Sequence, residues 1–463
     1  MQELKNSLQI GKKELSLILL ILVVGLLLRF YQVEKRTSFE ADQEDIAIKA
    51  LELLHGDPVL LGPVTSVGKF SGGPAFIYLW ALFSFFLSQD PAAGVYLSSV
   101  IGVLMAFILY LVGRLLFDAK TALFLTLLYA ISFTAIVWDL SPWGPSLFYI
   151  AETIFLAGAI LFLKNPLGLL LVVLGFALGF HSHIAIFISL VPISLFWLIF
   201  KPKLKDRRVG FYSLGIILLA VLPNFLFDVT HNFDNLKRFF SLFGTGVSAG
   251  GATGLKVFYT LYNTTSALLL PYLDKKYAFI IFLFVVVIAV RGVYKDRKLR
   301  KPLVLLLLSI FIPFFLFLTW QGNFSEYYLM GAIPSFILLV GYLFFTYFKR
   351  YKIIFLVGLI LFLFYNLKAW YVYKRPLNLS AKKKAVEFIV NKAGVEGYGV
   401  SLTTSPGLHF GYPYIFSYYG AKPDLPPLKN QKKIFTIVVP PGFEGVQAMV
   451  EFDGVGVRWE GVD

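Results

Sequence analysis

Apolar runs long enough to cross a bilayer recur from Leu15 almost to Val372, most of them parted from the next by a short polar loop. Such a chain can bury its own backbone polar groups only as helices within lipid, because hydrocarbon offers no partner for an unpaired N–H or C=O. Hydrophobic residues make up 58% of the 463 and charged residues 15%, which leaves too little polar surface to clothe a water-soluble body of that size. The expectation is an all-α polytopic membrane protein. The first run, Leu15 to Phe30, is followed by Gln32, Glu34 and Lys35 rather than by a small-residue cleavage site, so it reads as a retained helix.

The net charge of +15 has a topological source, since the basic residues gather in loops between apolar runs: Lys12-Lys13, Arg114 to Lys120, Lys164, and 201–208, 294–301 and 348–352. Those loops belong in the cytoplasm by the positive-inside rule, and no nucleic acid is needed to explain the charge. The rule puts the N-terminus in the cytoplasm of a plasma membrane and predicts about eleven transmembrane helices. Their expected positions are 15–31, 93–113, 121–138, 146–163, 167–182, 184–200, 210–227, 277–293, 303–320, 327–347 and 353–372. Pro74 to Leu87 is too short to span and is expected as an interfacial helix within a first external loop, 32–92. A second long external segment, 228–276, holds the flexible stretch 244–254 and a moderately apolar stretch, Val257 to Leu270. The absence of cysteine excludes disulfides, a thiol nucleophile and a thiolate metal site.

Residues 1–373 thus form the membrane domain. Beyond them hydropathy falls, and 374–463 reads as a small extracytoplasmic α/β domain: an amphipathic helix over 380–394 closed by Gly394, then strands near 398–404, 433–441 and 454–461.

The densest chemistry lies just after the first span, where Glu40, Asp42, Glu44 and Asp45 crowd together. If this stretch is helical, Asp42, Asp45, Lys49 and Glu52 share one face while Ile46, Ala50, Leu53 and Leu54 share the other. Glu40 fits a capping box opened by Thr37, and a solvated acidic face would account for Glu52. Asp42 and Asp45 precede a glycine- and proline-rich stretch that bends the backbone at the interface, which suits a carboxylate acting as general base beside an embedded cavity. Hard oxygen ligands from Glu40, Asp42 and Asp228 also make a divalent metal site conceivable, with Mg²⁺, Mn²⁺ or Zn²⁺ as the ion.

Further candidates stand at the same external surface. Lys69 sits in a flexible loop where one cation could meet a phosphate, or simply snorkel. Asp139 ends the third span, and His181 and His183 end the fifth. Asp228 and His231 are spaced to share a helical face, with Lys237 and Arg238 beyond. Glu326 opens the tenth span beside Tyr327 and Tyr328, which read as interfacial anchors.

The stretch "ADQEDIAIKALELLHGDPVLLGPVTSVG" (41–68), with weaker motifs at 141–145, 181–183, 223–233 and 326–334, resembles the GT-C superfamily of membrane glycosyltransferases, above all the protein-O-mannosyltransferase and aminoarabinose-transferase type. The resemblance covers most of the membrane region, to about Tyr371. It implies transfer of a sugar from a polyprenyl-phosphate donor to a hydroxyl on a lipid, glycan or protein acceptor at the external face, with inversion. Asp42 takes the catalytic-base position, Asp139 a second acidic position, and Asp45, Lys69, His183, His231, Arg238 and Glu326 fall where substrate or phosphate would bind. Some relatives use a divalent ion and others none. Where the family often has an arginine and an asparagine around its tryptophan-proline motif, this chain has Leu140 and Gly144. A transporter or flippase for a lipid-linked sugar is the alternative, although a transport path would place its polar residues within the spans.

Overall fold

The computed structural model describes residues 10–65, 69–204, 206–244, 254–318, 324–394, 397–428 and 431–461, so the flexible stretch expected at 244–254 lies, but for its ends, outside the described residues. Helices occupy every position expected to span: α1 (Lys12–Phe30), α5 (Ala93–Leu116), α6 (Ala119–Ile131), α8 (Phe148–Phe162), α9 (Leu167–Phe180), α10 (Ile186–Phe200), α11 (Arg207–Thr230), α14 (Lys275–Lys295), α15 (Arg300–Leu318), α16 (Ala332–Tyr347) and α17 (Lys352–Val372). Between them lie α2 (Val33–Arg36), α3 (Ala41–Leu54), α4 (Ala75–Phe86), α7 (Phe133–Asp139), α12 (Asp234–Gly244) and α13 (Gly254–Ala267).

Length and composition support fewer crossings than the expected eleven. Among the described residues, six helices are long and apolar enough, and a seventh if α6 and α7 count as one span bent by 61°. Helices α9, α10 and α16 are shorter apolar helices, and α1 carries Lys12, Lys13, Glu14 and Arg29 within its length. Crossing segments also differ in how much protein surrounds them. The stretch Gly144–Phe162, which includes α8, is 78% buried and runs through the centre, whereas α17 is 11% buried and lies at the periphery with Ile353, Ile354 and Ile360 facing outward.

The third expected span is not one helix. It breaks at Ser132, and the Phe133 N–H, which has lost its place in the helical ladder, donates to Asn366 Oδ1 at 2.8 Å. Asn366, fully buried on α17, donates in turn to the carbonyls of Leu269 at 2.9 Å and Phe362 at 2.8 Å. A broken helix persists at membrane depth because a neighbouring side chain satisfies the freed backbone group.

The short apolar segment of the first loop forms α4, as expected, with Phe85 and Phe86 exposed along one side. The C-terminal part holds α18 (Leu379–Ala393), α19 (Tyr412–Tyr418) and strands β1 (Gly399–Thr404), β2 (Ile434–Val439), β3 (Val450–Phe452) and β4 (Val455–Glu460). The sheet order is β1-β2-β4-β3; β1 runs parallel to β2 with Gly399 opposite Ile434, and β4 runs antiparallel to β2 with Ile437 opposite Val457. Three strands match the alternating patterns in the sequence. Three-residue β3 and seven-residue α19 are too short to carry such a periodicity.

This domain is fastened to the 32–92 loop by charges. Lys383 bridges Glu34 and Asp90, each at 2.9 Å. Beside it Lys382, only 2% exposed, donates to the carbonyls of Phe39 at 2.7 Å and Phe410 at 2.8 Å. From the loop side, buried Glu44 accepts from the Gly411 N–H at 2.8 Å and the Tyr414 N–H at 3.1 Å, capping the start of α19.

Candidate functional site

Helix α3 begins at Glu40, whose own N–H donates to Gln43 Oε1 at 3.0 Å, so Glu40 is the N-cap rather than the third residue of a box opened by Thr37. The Thr37 hydroxyl instead donates to the Leu140 carbonyl at 2.7 Å. Ile46, Ala47 and Ala50 are buried along the inner face together with Gln43 and Glu44, while Asp42 and Asp45 stay exposed. Gln43 also donates to the Pro142 carbonyl at 3.0 Å, which pins the 141–145 loop against the acidic helix.

That pin brings Asp42 to the edge of a cavity of about 220 Å³. Its other walls come from Trp143, from Gly62 to Thr65 and Gly72-Gly73, from Phe180 to Ile184, and from Tyr327 and Tyr328. The glycine-rich stretch folds into a small hairpin, with Gly62 N–H donating to Gly72 O at 2.9 Å and Val64 bridged to Ser71. Two buried asparagines stitch it down: Asn224 of α11 donates to Ser71 O at 3.0 Å and Asn235 donates to the same oxygen at 3.1 Å. Glycine is required at 73, since a Cβ there would stand 1.9 Å from His181 Nδ1.

The cavity's ionisable groups are Asp42, His181, His183 and the phenols of Tyr327 and Tyr328; among the described residues no lysine or arginine lines it. Partial burial, then the neighbouring charges of Asp45 and Glu40, push the Asp42 carboxyl above its ordinary range, even though it occupies the first turn of a helix, where anions are favoured. Burial pushes His183 down to about 4, so its ring is neutral near pH 7. Its Nδ1 accepts from the Ala185 N–H at 3.1 Å, which leaves the proton on Nε2 as a free donor. Tyr327 stands edge-on to both Trp143 and His183, with ring centroids 5.4 Å apart in each pair.

The other expected site residues go elsewhere. Asp139 is 2% exposed, ion-paired to Arg29 at 2.7 Å, and lines no part of the cavity. Asp45 turns to solvent and pairs with Lys49 at 2.7 Å. Asp228 and His231 do not share a working face: Asp228 is buried and its Oδ1 accepts from the Asn235 N–H at 2.9 Å, whereas His231 caps α11 and stacks on Phe227 at 3.9 Å. Glu40, Asp42 and Asp228 therefore do not assemble as metal ligands, and among the described residues no three histidine or carboxylate side chains converge. Lys69 and Arg238 do come together, Arg238 Nη1 lying 3.4 Å from the Lys69 carbonyl, on the exposed arm of the hairpin outside the cavity lining. At 326–328 the expectation is reversed, for Tyr327 and Tyr328 line the cavity while Glu326 is exposed and does not.

Sequence reasoning missed Gln43, Trp143 and the two tyrosines. A tyrosine at a membrane edge carries no mark that separates anchor from site, but a glutamine amid acidic residues is a usable signal, because it alone there can donate to a backbone carbonyl.

No protein-family model matches the chain, and no curated protein matches it in sequence. Solved structures match in fold. ArnT, the aminoarabinose transferase, from Cupriavidus metallidurans bound to undecaprenyl phosphate, superposes with a TM-score of 0.64 at 11% identity, covering 96% of this chain and 97% of that one. Its apo form gives 0.62 at 10% identity with the same coverage. The Archaeoglobus fulgidus oligosaccharyltransferase in complex with Zn and sulfate gives 0.50 at 14% identity, covering 91% of this chain and 68% of that one. Identities this low speak to architecture alone, and the architecture agrees along nearly the whole chain: this protein has the fold of the GT-C membrane glycosyltransferases.

Proposed function

We propose that the protein is an integral membrane glycosyltransferase that moves a sugar from a polyprenyl-phosphate carrier to a hydroxyl acceptor. The observation that carries this reading is the position of Asp42, a solvent-accessible carboxylate of raised pKa at the lip of a cavity that also holds a neutral histidine. In the reaction, Asp42 takes the proton from the acceptor hydroxyl while the hydroxyl oxygen attacks the anomeric carbon. The bond from that carbon to the phosphate oxygen breaks on the opposite face, its electron pair leaves with the lipid phosphate, and the configuration inverts.

The departing phosphate gains negative charge, which donors fixed in advance stabilise best. His183 Nε2–H supplies one such donor within the cavity, and Lys69 supplies cationic charge on the exposed arm of the hairpin, beside Arg238, whose guanidinium is ion-paired to Asp234 at 2.6 Å. The archaeal neighbour was crystallised with Zn, but the donor set around Asp42 does not fit a metal: Glu40 is 3.7 Å from the Arg375 guanidinium, and Asp228 is engaged at α12. No step here passes through one. The basic loops support a cytoplasmic N-terminus and an external C-terminal domain.

Purified protein incubated with radiolabelled polyprenyl-phosphate sugars and membrane extract should label an acceptor, and Asp42→Asn should abolish the transfer. Equal labelling by both forms would remove the assignment.

A further inference from the structure

Asp42 and Trp143 form a partition. On one side lies the cavity already described; on the other they line a second cavity, of about 320 Å³, together with Ser38, Ser141 and, from the C-terminal side, Arg375 and Phe410. Asp42 and Trp143 are the residues the two linings share, so a base at Asp42 would have one space on each side of it.

The second cavity is a built one. Its wall from the membrane domain is held by Gln43 on the Pro142 carbonyl. Its far wall, the turn at Phe410, is tied to the segment before α3 by one buried ammonium, since Lys382 donates to both the Phe410 and Phe39 carbonyls. Buried Glu44 fixes the next residue, Gly411, through its N–H. Burying a lysine and a glutamate at a domain junction is costly unless their partners are well placed, and here they hold the backbone at Phe39, Phe410 and Gly411 in place.

The lining is of mixed chemistry: two aromatic side chains, two serines, the acidic residues Glu40 and Asp42, and an arginine. Arg375 meets Glu40 at 3.7 Å, which leaves most of its planar donor set directed elsewhere. Apolar faces paired with planar donors and acceptors suit a ring that is apolar on its C–H face and hydroxylated at its rim. We infer that this second cavity is the acceptor subsite and that the acceptor it takes is a glycan, one sugar ring seated between Trp143 and Phe410 with its hydroxyl at Asp42. The inference rests on the sugar-transfer reading and adds the acceptor class to it.

The test uses full-length protein in liposomes, a radiolabelled polyprenyl-phosphate sugar as donor, and three acceptor sets: neutral oligosaccharides, serine- and threonine-containing peptides, and phospholipid alone. Label should pass to oligosaccharide. Phe410→Ala and Arg375→Gln should raise the KM for oligosaccharide about tenfold or more while leaving the KM for donor unchanged. Binding is read separately by saturation-transfer NMR from the protein to oligosaccharide, and the signal should be lost in Phe410→Ala. Transfer to peptide or phospholipid, with none to oligosaccharide, overturns the acceptor class and leaves glycosyl transfer standing. Oligosaccharide bound at this cavity with no transfer by any form instead overturns the proposed reaction and keeps the glycan subsite. No oligosaccharide binding by the wild type overturns the subsite outright.

Discussion

Arg29 and Asp139 form an ion pair at the heart of the helix bundle, Nη2 to Oδ2 at 2.7 Å, with the two residues 0% and 2% exposed. Arg29 also donates to the carbonyls of Gly25 at 3.0 Å and Ala130 at 2.9 Å, and the Tyr129 hydroxyl reaches Asp139 Oδ1 at 3.3 Å. The pair locks α1 to the kinked α6–α7 segment. Removing one partner strands the other charge, so Asp139→Ala or Arg29→Ala should cost about 3–5 kcal/mol, and Arg29→Met with Asp139→Leu should recover much of it. Thermal unfolding in detergent checks this; a fully stable but inactive Asp139→Ala would return Asp139 to the chemistry.

Because burial and the charges of Asp45 and Glu40 raise the Asp42 carboxyl, activity should fall on acidification at a pH above the ordinary carboxylate range. The basic form is the working one, so activity rises as pH climbs through that raised value. Glu40→Gln and Asp45→Asn each remove a like charge and should move the acid limb of the kcat/KM profile to lower pH. A limb that does not move in either variant would show that another group sets it.

His183, held down to about 4 by burial, is neutral throughout the range in which transfer would be assayed. Replacing it with Phe removes the Nε2–H donor and should lower kcat by about a hundredfold without creating or removing a pH limb near neutrality. Steady-state rates between pH 5.5 and 8, taken as roughly the assay range around an ordinary histidine pKa, decide it.

Gly73→Ala would drive a Cβ into His181, 1.9 Å from Nδ1, and so displace a ring that lines the cavity. Transfer activity should fall at least about tenfold, as expected when an overpacked side chain displaces its neighbours. The thermal midpoint should change little, since the site lies at the end of the helices; a large drop would mean that the hairpin is part of the core.

Lys382 is pushed down to about 8, chiefly by burial, against the opposing pull of Glu40 and Glu44. Between that value and its ordinary one the unfolded chain binds the extra proton, so stability should rise with pH across that window. The rise should vanish in Lys382→Met, compared by melting curves at pH 7, 8, 9 and about 10, the upper end being near the free lysine pKa.

The acidic loop shows how far the sequence alone reaches. Helical periodicity put Ile46 and Ala50 inward and Asp42 outward, because a short amphipathic helix has only one way to bury its apolar stripe. It could not tell Asp42 from Asp45, which stand one helical turn apart on the same face. What parts them is Gln43, whose bond to Pro142 draws the 141–145 loop over Asp42 alone.

The fold class, the positions of the helical segments and the three main strands were set by the sequence itself, through apolar run length, loop charge and the period of two, all local properties that lipid and water read directly. Tertiary structure decided which polar residues work and which are spent on packing. Asp139 meets Arg29 from more than a hundred residues away, Asp228 caps α12, and Tyr327 and Trp143 converge although far apart in the sequence. Such meetings depend on how helices cross, and a polar side chain looks the same in sequence whether its partner is a substrate or an arginine.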